Sequence, residues 1–379
     1  MKRRLTLITE IIAPYRIPVF NALASRDDID LHVIFLSETD PSLRDWRVYK
    51  NEIRFAYEVL PSFRRRLGRY NFVINRGLAA ALAQSRSDVI LCGGYNYLAS
   101  WRAQGWARKR SIPFLLWLES TAADQRRHTS FVESLKRCFL ERCKAFVVPG
   151  KASQAYLHQF GVPDASIFRA PNAIDNAFFG DRAAQARADR EATCSRLHLP
   201  NRYFLFVGRL VEAKGVFELI DAYANLTPAM RAEISLVVVG DGPTRPTLER
   251  RAVKIAPGTV HFAGFVQKED LPPYYALADA LVFPTHSDTW GFVVNEAMAC
   301  GCPVIASEVA GCVPDLVDDG LTGQVVPPHD APKLSSTMEY LAVHEDVRSR
   351  MSAQATQCIA TYSPEACAKG IAKAVLACV

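Results

Sequence analysis

An apolar segment, a polar loop and a helical pattern follow one another within residues 280–306, and this order constrains the fold more than any other feature. Residues 280–283 form an apolar run short enough for a buried strand. A polar loop follows, and from Gly291 onward apolar residues recur at three- and four-residue steps, which predicts a helix. Residues 303–306 then predict another strand. Strands that alternate with helices in this way are typical of an α/β fold with a parallel sheet.

The start of this predicted helix is suited to binding an anion. The first N–H groups of a helix have no partner within it, so Gly291, Phe292 and Val293 can bind a diphosphate. Asp288 and Glu296 flank these residues. Carboxylates repel phosphate, so they are better suited to accept hydrogen bonds from neutral hydroxyls such as those of a ribose. The alternative is an ordinary helix start with solvated acidic residues.

A second loop brings two positive charges. The apolar strand predicted over residues 203–207 is followed by Gly208, Arg209 and, five residues later, Lys214. An Arg and a Lys on a loop at a strand end can converge on one point and hold a phosphoryl group. A pair of ordinary surface cations is the alternative.

Both segments resemble the signature of retaining glycosyltransferases of the GT-B fold, specifically glycosyltransferase family 4. That family has an acid, seven residues, a glutamate, a small-residue helix and then Gly-x-Pro-Val. Here the acid is Asp288, where many members have Glu, the glutamate is Glu296, and residues 301–304 read Gly-Cys-Pro-Val. The segment Gly-Arg-Leu, three residues and Lys-Gly over 208–215 resembles the family's other diagnostic motif.

The resemblance implies two Rossmann-like α/β domains that face each other across a deep cleft. A chain of 379 residues is long enough for two domains. We expect an N-terminal acceptor-binding domain over residues 1–178, a polar, Ala- and Arg-rich linker over 179–202 and a C-terminal nucleotide-sugar-binding domain over 203–360. A C-terminal helix over 361–379 is expected to cross back and pack on the N-terminal domain.

By the same resemblance, Arg209 and Lys214 hold the donor diphosphate and neutralise the leaving group, with help from the helix start at 291–293. These positive groups make a metal or any other cofactor unnecessary. Asp288 is expected to bind hydroxyls of the transferred sugar, and Glu296 those of the ribose.

The resemblance also indicates where the nucleobase is bound. Gly264 and Phe265 lie at a strand end where relatives contact the base largely through backbone atoms.

Polar residues also follow two predicted strands of the N-terminal half. Glu119 comes directly after the strand at 114–118, and ligands of open α/β sheets bind beyond the carboxyl ends of strands. Glu119 is therefore a candidate to orient the acceptor hydroxyl or accept its proton, with a helix N-cap in this turn as the alternative. Tyr15 and Arg16 follow the first strand, where family members often carry a Gly-rich turn that approaches the donor phosphate. Arg16 could replace that contact or be a surface residue at a helix start.

The net charge of +6 is distributed unevenly. Residues 1–180 carry 27 Lys and Arg against 16 Asp and Glu, whereas the rest carry 18 against 23. A basic half fits an acidic partner, such as an anionic membrane surface or a lipid diphosphate. Arg64, Arg65 and Arg66, which lie among aromatic residues, are candidates for membrane docking, with a solvated basic loop as the alternative. No nucleic-acid partner is expected, because no recognised module accompanies the charge.

The ten cysteines contain no Cys-x2-Cys pair, which indicates reduced, buried thiols in a cytoplasmic protein rather than a zinc site or a disulfide framework. No apolar run approaches the ~20 residues needed to cross a bilayer. We therefore expect a cytoplasmic protein that is peripheral on the inner face of the membrane.

These observations predict a metal-independent glycosyltransferase that moves a sugar from a UDP- or GDP-sugar to the hydroxyl of a sugar or lipid-linked acceptor. Retention at the anomeric carbon and a role in bacterial cell-surface polysaccharide or glycolipid synthesis are implied by the family. Two alternatives stay open, namely a GT-B nucleotide-sugar epimerase and a non-catalytic subunit that only binds the nucleotide sugar.

Overall fold

The computed structural model describes residues 2–40, 46–67, 70–123 and 130–379. The chain divides into two compact units. The first consists of Met1–Ala173 with Ser363–Val379, and the second of Ile174–Tyr362. Each unit is built around a parallel sheet with helices, as the sequence predicts.

The described strands are β1 (Arg3–Thr9), β2 (Ile29–Phe35), β3 (Ala56–Val59), β4 (Ser62–Leu67), β5 (Tyr70–Asn75), β6 (Val89–Gly93), β7 (Phe114–Trp117), β8 (Ala145–Val148), β9 (Ile167–Arg169), β10 (Tyr203–Val207), β11 (Ser235–Val239), β12 (Val260–Gly264), β13 (Ala280–Phe283), β14 (Val304–Ser307) and β15 (Gln324–Val326). The described α-helices are α1 (Ile17–Ala24), α2 (Leu78–Ser85), α3 (Leu98–Lys109), α4 (Ser130–Leu140), α5 (Lys151–His158), α6 (Asn176–Ala188), α7 (Arg190–Leu197), α8 (Val216–Ala224), α9 (Pro228–Glu233), α10 (Arg245–Ile255), α11 (Pro272–Leu277), α12 (Phe292–Ala299), α13 (Val313–Leu316), α14 (Ala331–Val343), α15 (Glu345–Ile359) and α16 (Pro364–Leu376).

The main sheet of the first unit has seven strands in the order β3-β2-β1-β6-β7-β8-β9, and the pairs along it are parallel. Strands β6, β7 and β8 contain no charged or hydroxyl-bearing residue, and β7 and β8 are buried at every residue. Continuous apolar strands are expected where helices cover both faces of a parallel sheet. The strand order reverses between β1 and β6, so ligand-binding loops are expected beyond the carboxyl ends of these strands.

The last helix returns to the first unit, as predicted. Helix α16 packs on α1 and β9, and it buries Cys367, Ile371 and Val375 in the core of that unit. Gly370 permits this close packing, because a Cβ atom at Gly370 would lie 2.2 Å from the carbonyl oxygen of Arg169. The contact therefore depends on a residue without a side chain.

The sheet of the second unit has six strands in the order β12-β11-β10-β13-β14-β15, and its pairs are again parallel. The order reverses between β10 and β13, which are hydrogen-bonded neighbours. Because parallel strands end at the same edge, the loops that follow β10 and β13 lie side by side. This edge is where an open α/β sheet binds its ligands.

The linker expected over residues 179–202 is instead part of the second unit. Helices α6 and α7 occupy most of it, and α6 packs on α11 and α12. Phe179, Ala183 and Ala186 are buried, and Arg187 donates a hydrogen bond to the carbonyl of Cys300. These buried residues recur at three- and four-residue steps, a stripe that the Ala- and Arg-rich composition concealed.

Strands β4 and β5 form an antiparallel hairpin that carries the basic cluster. Arg64 pairs with the buried carboxylate of Asp40, so the prediction that Arg64 is free to meet a membrane is wrong. Arg65 is exposed, whereas the side chain of Arg66 lies outside the described residues. In the described part of the chain, no helix combines the length and apolar content that crossing a bilayer requires.

Replacing Gly370 with Ala should destabilise the first unit by about 1–3 kcal/mol, because the new methyl group overpacks the contact between α16 and β9. Urea denaturation followed by circular dichroism measures the effect.

Gly105 provides the matched control. It also lies in a helix of the first unit, but a Cβ atom at Gly105 would have no neighbouring atom within 4 Å. Gly105→Ala should stabilise by about 0.5–1 kcal/mol through helix propensity. Equal effects of both substitutions would contradict the close-packing account.

Candidate functional site

The loops after β10 and β13 are joined by close backbone contact. The single helical turn Glu212–Lys214 follows β10, and Gly215 then adopts a left-handed conformation with φ of 66°. A Cβ atom at Gly215 would lie 1.9 Å from the carbonyl oxygen of Pro284, which directly follows β13. Only glycine fits this conformation and this separation without a shift of the backbone.

Hydrogen bonds hold the same two loops in register. The carbonyl oxygen of Ala213 accepts bonds from the backbone N–H of His286 at 2.9 Å and from the Thr285 hydroxyl at 3.0 Å. Thr285 is fully buried, so its hydroxyl needs such a partner. The position of Lys214 is therefore fixed relative to the loop that contains Asp288.

Lys214 and Asp288 form an ion pair, with 2.5 Å between Lys214 Nζ and Asp288 Oδ2. The other carboxylate oxygen of Asp288 accepts a hydrogen bond from the backbone N–H of Trp290 at 3.2 Å. Both charged side chains are mostly buried. The two segments that the motifs single out, 74 residues apart in sequence, thus lie at one place.

Arg209 lies beside this pair in the chain, just beyond β10 and Gly208. Its side chain is exposed, and within the described residues no ion pair or hydrogen bond of that side chain is seen. Its guanidinium group is therefore available to a ligand. Among the described residues, Lys214 pairs with Asp288, whereas Arg209 does not.

Helix α12 begins at Phe292, and its N-cap residue is Gly291, which has no side chain to cap the helix. Gly291 has a φ of 105°, and a Cβ atom there would lie 2.7 Å from the ring of Phe283. The preceding residue, Trp290, is buried and donates its indole N–H to Asn295 at 2.8 Å. This bond ties the loop to the first turn of α12 and fixes where the helix begins.

Glu296 is the second acid of the motif, and it lies one turn into α12. Its carboxylate accepts a hydrogen bond from the hydroxyl of Tyr275 at 2.6 Å. Burial raises the pKa of Glu296 to about 7, although the bond from Tyr275 and the charge of Lys268 act in the opposite direction. The pKa of Glu296 therefore lies near neutral pH, unlike that of an ordinary surface glutamate.

Gly264 is the last residue of β12 and Phe265 follows it, on the far side of β11 from β10. The carbonyl oxygen of Gly264 accepts a bond from the N–H of Gly240 at 2.7 Å. The side chain of Phe265 is exposed. Both residues lie at the same carboxyl edge of the sheet as Arg209 and Lys214.

In the first unit, Arg16 and Glu119 form an ion pair. Arg16 also donates a hydrogen bond to Asn172 at 3.0 Å, and its guanidinium carbon lies 4.2 Å from the ring centre of Trp117. Tyr15 contacts the indole of Trp46 edge-on, with 5.8 Å between ring centres. These residues follow β1 and β7, at the carboxyl edge of the first sheet.

Arg16 is mostly buried, with 11% of its side chain exposed, and that side chain makes no capping bond at the start of α1, so the alternative of a surface residue at a helix start is wrong. The helix N-cap alternative for the turn at Glu119 stays a prediction, because α4 is described from Ser130 and residues 124–129 lie outside the described residues.

Sequence reasoning missed two contacts of the site. Tyr275 lies 21 residues before Glu296, and no local spacing connects them. Trp290 and Asn295 both lie in the motif, but their hydrogen bond depends on the turn between loop and helix. A Trp followed five residues later by Asn at a helix start is a weak signal that could have indicated it.

Two family models match the chain. The model for Glycosyltransferase Family 4 matches residues 20–178, and the model for glycosyl transferases group 1 matches residues 195–358. The second match contains Arg209, Lys214, Asp288 and Glu296. The chain belongs to the family 4 glycosyltransferases.

The similarity to curated relatives covers about half of this chain. The chain is 34% identical over 175 residues to the alpha-D-kanosaminyltransferase of Streptomyces kanamyceticus, covering 44% of this chain and 45% of that protein. It is 34% identical over 204 residues to the D-inositol 3-phosphate glycosyltransferase of Salinispora arenicola, covering 51% of this chain and 44% of that protein. The chain thus spans less than half of each of these two relatives.

Solved structures share the whole fold of this family 4 chain. Anabaena HepE in complex with UDP is similar over 100% of both chains, with a TM-score of 0.76 and 18% sequence identity. At that identity the similarity establishes the fold alone, which is the two-unit GT-B architecture.

The raised pKa of Glu296 should make stability depend on pH. Between the ordinary pKa of 4.5 and about 7, the folded chain keeps a proton that the unfolded chain has lost. The free energy of unfolding should therefore fall as pH rises through this window and level off above it. Glu296→Gln should remove this fall, so its stability relative to wild type should increase from pH 5 to pH 8 by about 1–3 kcal/mol. Urea denaturation at both pH values measures the difference.

Glu339→Gln is the control, because Glu339 is an exposed glutamate of the same unit. The free energy of unfolding of this variant should change with pH as that of wild type does. If that of Glu296→Gln also changed in this way, the buried-acid account would be wrong.

Proposed function

We propose that the chain transfers a sugar from a nucleoside diphosphate sugar to an acceptor hydroxyl, with retention at the anomeric carbon. The observation that carries the proposal is the contact between Lys214 and Asp288, which joins the family's two motifs at one edge of the second sheet. Membership of family 4 supports the reaction class.

The proposed binding site for the diphosphate consists of Arg209, Lys214 and the N-terminus of α12. Two cations and a helix N-terminus stabilise negative charge that develops on a departing diphosphate. The loop of Lys214 and the start of α12 are fixed before the donor arrives, so their backbones need little reorganisation. We propose that the two cations and the helix N-terminus replace a divalent metal in the transfer step.

Asp288 is proposed to bind hydroxyls of the transferred sugar. Without the donor its carboxylate is held by Lys214, so it is not free for that role. A bound diphosphate would compete for Lys214 and release Asp288 toward the sugar. Donor binding would thus exchange one ion pair for a phosphate contact and a sugar contact.

Glu296 is proposed to hold the ribose hydroxyls, with Tyr275 fixing its orientation. Hydroxyl donors favour the ionised form of a carboxylate, so donor binding should lower the raised pKa of Glu296. Gly264 and the exposed ring of Phe265 are proposed to contact the nucleobase.

The nucleotide is proposed to be UDP, with GDP as the competing candidate. Anabaena HepE, which shares the fold, has been crystallised with UDP and with UDP-glucose. The acceptor is proposed to be a sugar or lipid-linked sugar of a bacterial surface polysaccharide or glycolipid, used at the inner face of the cytoplasmic membrane.

The first unit is proposed to bind the acceptor near Glu119. The Arg16 ion pair orients this carboxylate, while about a third of the Glu119 side chain stays exposed. An oriented, partly exposed carboxylate can accept a hydrogen bond from an acceptor hydroxyl.

The hairpin of β4 and β5 is proposed to contact an anionic membrane. Phe63 lies opposite Ile74 in the hairpin, and both side chains are exposed. Arg65 lies two residues from Phe63 and therefore on the same face. A positive charge beside two exposed apolar side chains suits the surface of an anionic bilayer.

Arg209→Ala and Lys214→Ala should each lower turnover by about 10²- to 10³-fold, because each removes charge that stabilises the leaving diphosphate. Sugar transfer from UDP-glucose and GDP-mannose is measured with and without acceptor, and the anomeric configuration of the product is read by NMR.

Arg350→Ala is the control, because it removes an exposed Arg that only pairs along its own helix. Turnover by this control should match that of wild type. EDTA is present in all of these assays. The proposed scheme would be contradicted by turnover within a few-fold of wild type in both site variants. Inversion at the anomeric carbon or a strict Mn²⁺ requirement for turnover would also contradict it. Sugar conversion without acceptor would indicate an epimerase, and donor binding without turnover a non-catalytic subunit.

Arg65→Ala should weaken binding to phosphatidylglycerol vesicles by about 5-fold, which corresponds to ~1 kcal/mol for one basic residue near the surface. Co-sedimentation measures the bound fraction. Arg108→Ala, an exposed Arg on α3 of the same unit, should bind like wild type. Equal binding by both variants would exclude the hairpin as the membrane contact.

A further inference from the structure

A cluster of two histidines and a glutamate lies next to the loop that contains Asp288. Glu218 lies on α8, His286 in the loop after β13, and His329 between β15 and α14. Glu218 Oε1 is 3.3 Å from His286 Nε2 and 3.6 Å from His329 Nδ1. One ligand atom from each residue lies within 4.8 Å of the other two.

Ordinary hydrogen bonds do not account for this cluster. Nitrogen-to-oxygen hydrogen bonds are about 2.7–3.2 Å long, and both contacts of Glu218 exceed that range. His286 Nε2 is buried, and its 3.3 Å contact with Glu218 is not a well-aligned hydrogen bond. A buried nitrogen that is poorly satisfied is costly, so a ligand at this position would remove a penalty.

The two separations from Glu218 instead suit ligands of one metal ion. Four-coordinate zinc has bonds of about 2.0–2.2 Å to imidazole nitrogen and carboxylate oxygen, which puts neighbouring ligand atoms about 3.3–3.6 Å apart. Both measured contacts of Glu218 fall in this range. The chemistry of the set, two imidazoles and a carboxylate, favours zinc over magnesium or calcium.

One adjustment is required. The rings of His286 and His329 stack with 3.6 Å between their centres, which is closer than two ligands of one ion allow. His329 is 58% exposed, so its ring can turn away from His286, which is only 13% exposed. His329 also has a φ of 61°, a left-handed conformation that is uncommon outside glycine.

We propose that Glu218, His286 and His329 bind one Zn²⁺ ion. The ion would join α8, the loop after β13 and the loop after β15. His286 lies two residues before Asp288, and the backbone N–H of His286 donates a hydrogen bond to the carbonyl of Ala213, the residue before Lys214. Zinc would therefore stabilise the loop that contains Asp288 without taking part in sugar transfer, and this inference does not depend on the proposed function.

Calorimetry with ZnCl₂ tests the site on the full chain after EDTA treatment and desalting, with no nucleotide sugar present. Wild type should bind one equivalent. Glu218→Gln and His329→Asn should each weaken binding by at least about 10- to 100-fold, the loss seen when even an outer partner of a metal ligand is removed.

His198→Asn is the matched control, because His198 is an exposed histidine with a similar left-handed φ of 52°. Asn tolerates that conformation at both positions. The control should bind zinc like wild type. Unchanged binding in Glu218→Gln and His329→Asn, as expected if cysteines held the zinc, or no binding by wild type would overturn the proposal.

Hydrogen exchange followed by mass spectrometry tests the effect on the loop. Zinc should slow exchange in peptides that contain residues 285–288 in wild type and leave them unchanged in His329→Asn. Equal exchange with and without zinc in wild type would overturn the stabilising role. Because neither measurement needs a donor, failure here is distinct from failure of the glycosyltransferase proposal.

Discussion

The candidate site depends on the contact between the turn Glu212–Lys214 and the residues that follow β13. Gly215 allows the turn to approach Pro284, and the carbonyl of Ala213 then bonds to both Thr285 and His286. Each of these contacts involves backbone atoms of the turn, so together they are stiff compared with contacts between two long side chains. They bring the cation of one loop to the carboxylate of the other before any ligand is present. Without this contact, the two motifs would be neighbours in the sheet but would not share a site.

The same edge of the second sheet collects groups of different chemistry. Lys214 and Arg209 are cationic, Asp288 is held by Lys214, and Glu296 is an acid whose pKa is raised by burial to about 7. Such a combination suits a ligand with a negative centre between two neutral, hydroxyl-bearing parts, which is the chemical form of a nucleoside diphosphate sugar. Titratable groups with strongly shifted pKa values are typical of functional sites. The structure therefore gives a physical reason for residues that the motif alone could only suggest.

The sequence predicted the elements better than the contacts between them. Strand β13, helix α12 and the loops at Arg209 and Asp288 follow from local spacing, because an apolar run, a proline and a helical stripe are each visible in a few residues. The linker prediction failed because the stripe of Phe179, Ala183 and Ala186 lies in a polar, Arg-rich segment. Arg64 was assigned to the surface because its partner Asp40 is distant in sequence, and the Tyr275–Glu296 and Glu218–His286–His329 contacts were missed for the same reason. Side-chain pairing across a fold has no local signature that a single sequence shows.

The central claim is that the loops after β10 and β13 form the donor site, with Lys214 passing from Asp288 to the diphosphate. A crystal structure of the chain with bound UDP tests it most directly. The account predicts diphosphate oxygens within about 2.7–3.2 Å of Lys214 Nζ and of Arg209, with the carboxylate of Asp288 no longer paired to Lys214. A diphosphate bound elsewhere, with the Lys214–Asp288 pair intact, would contradict it.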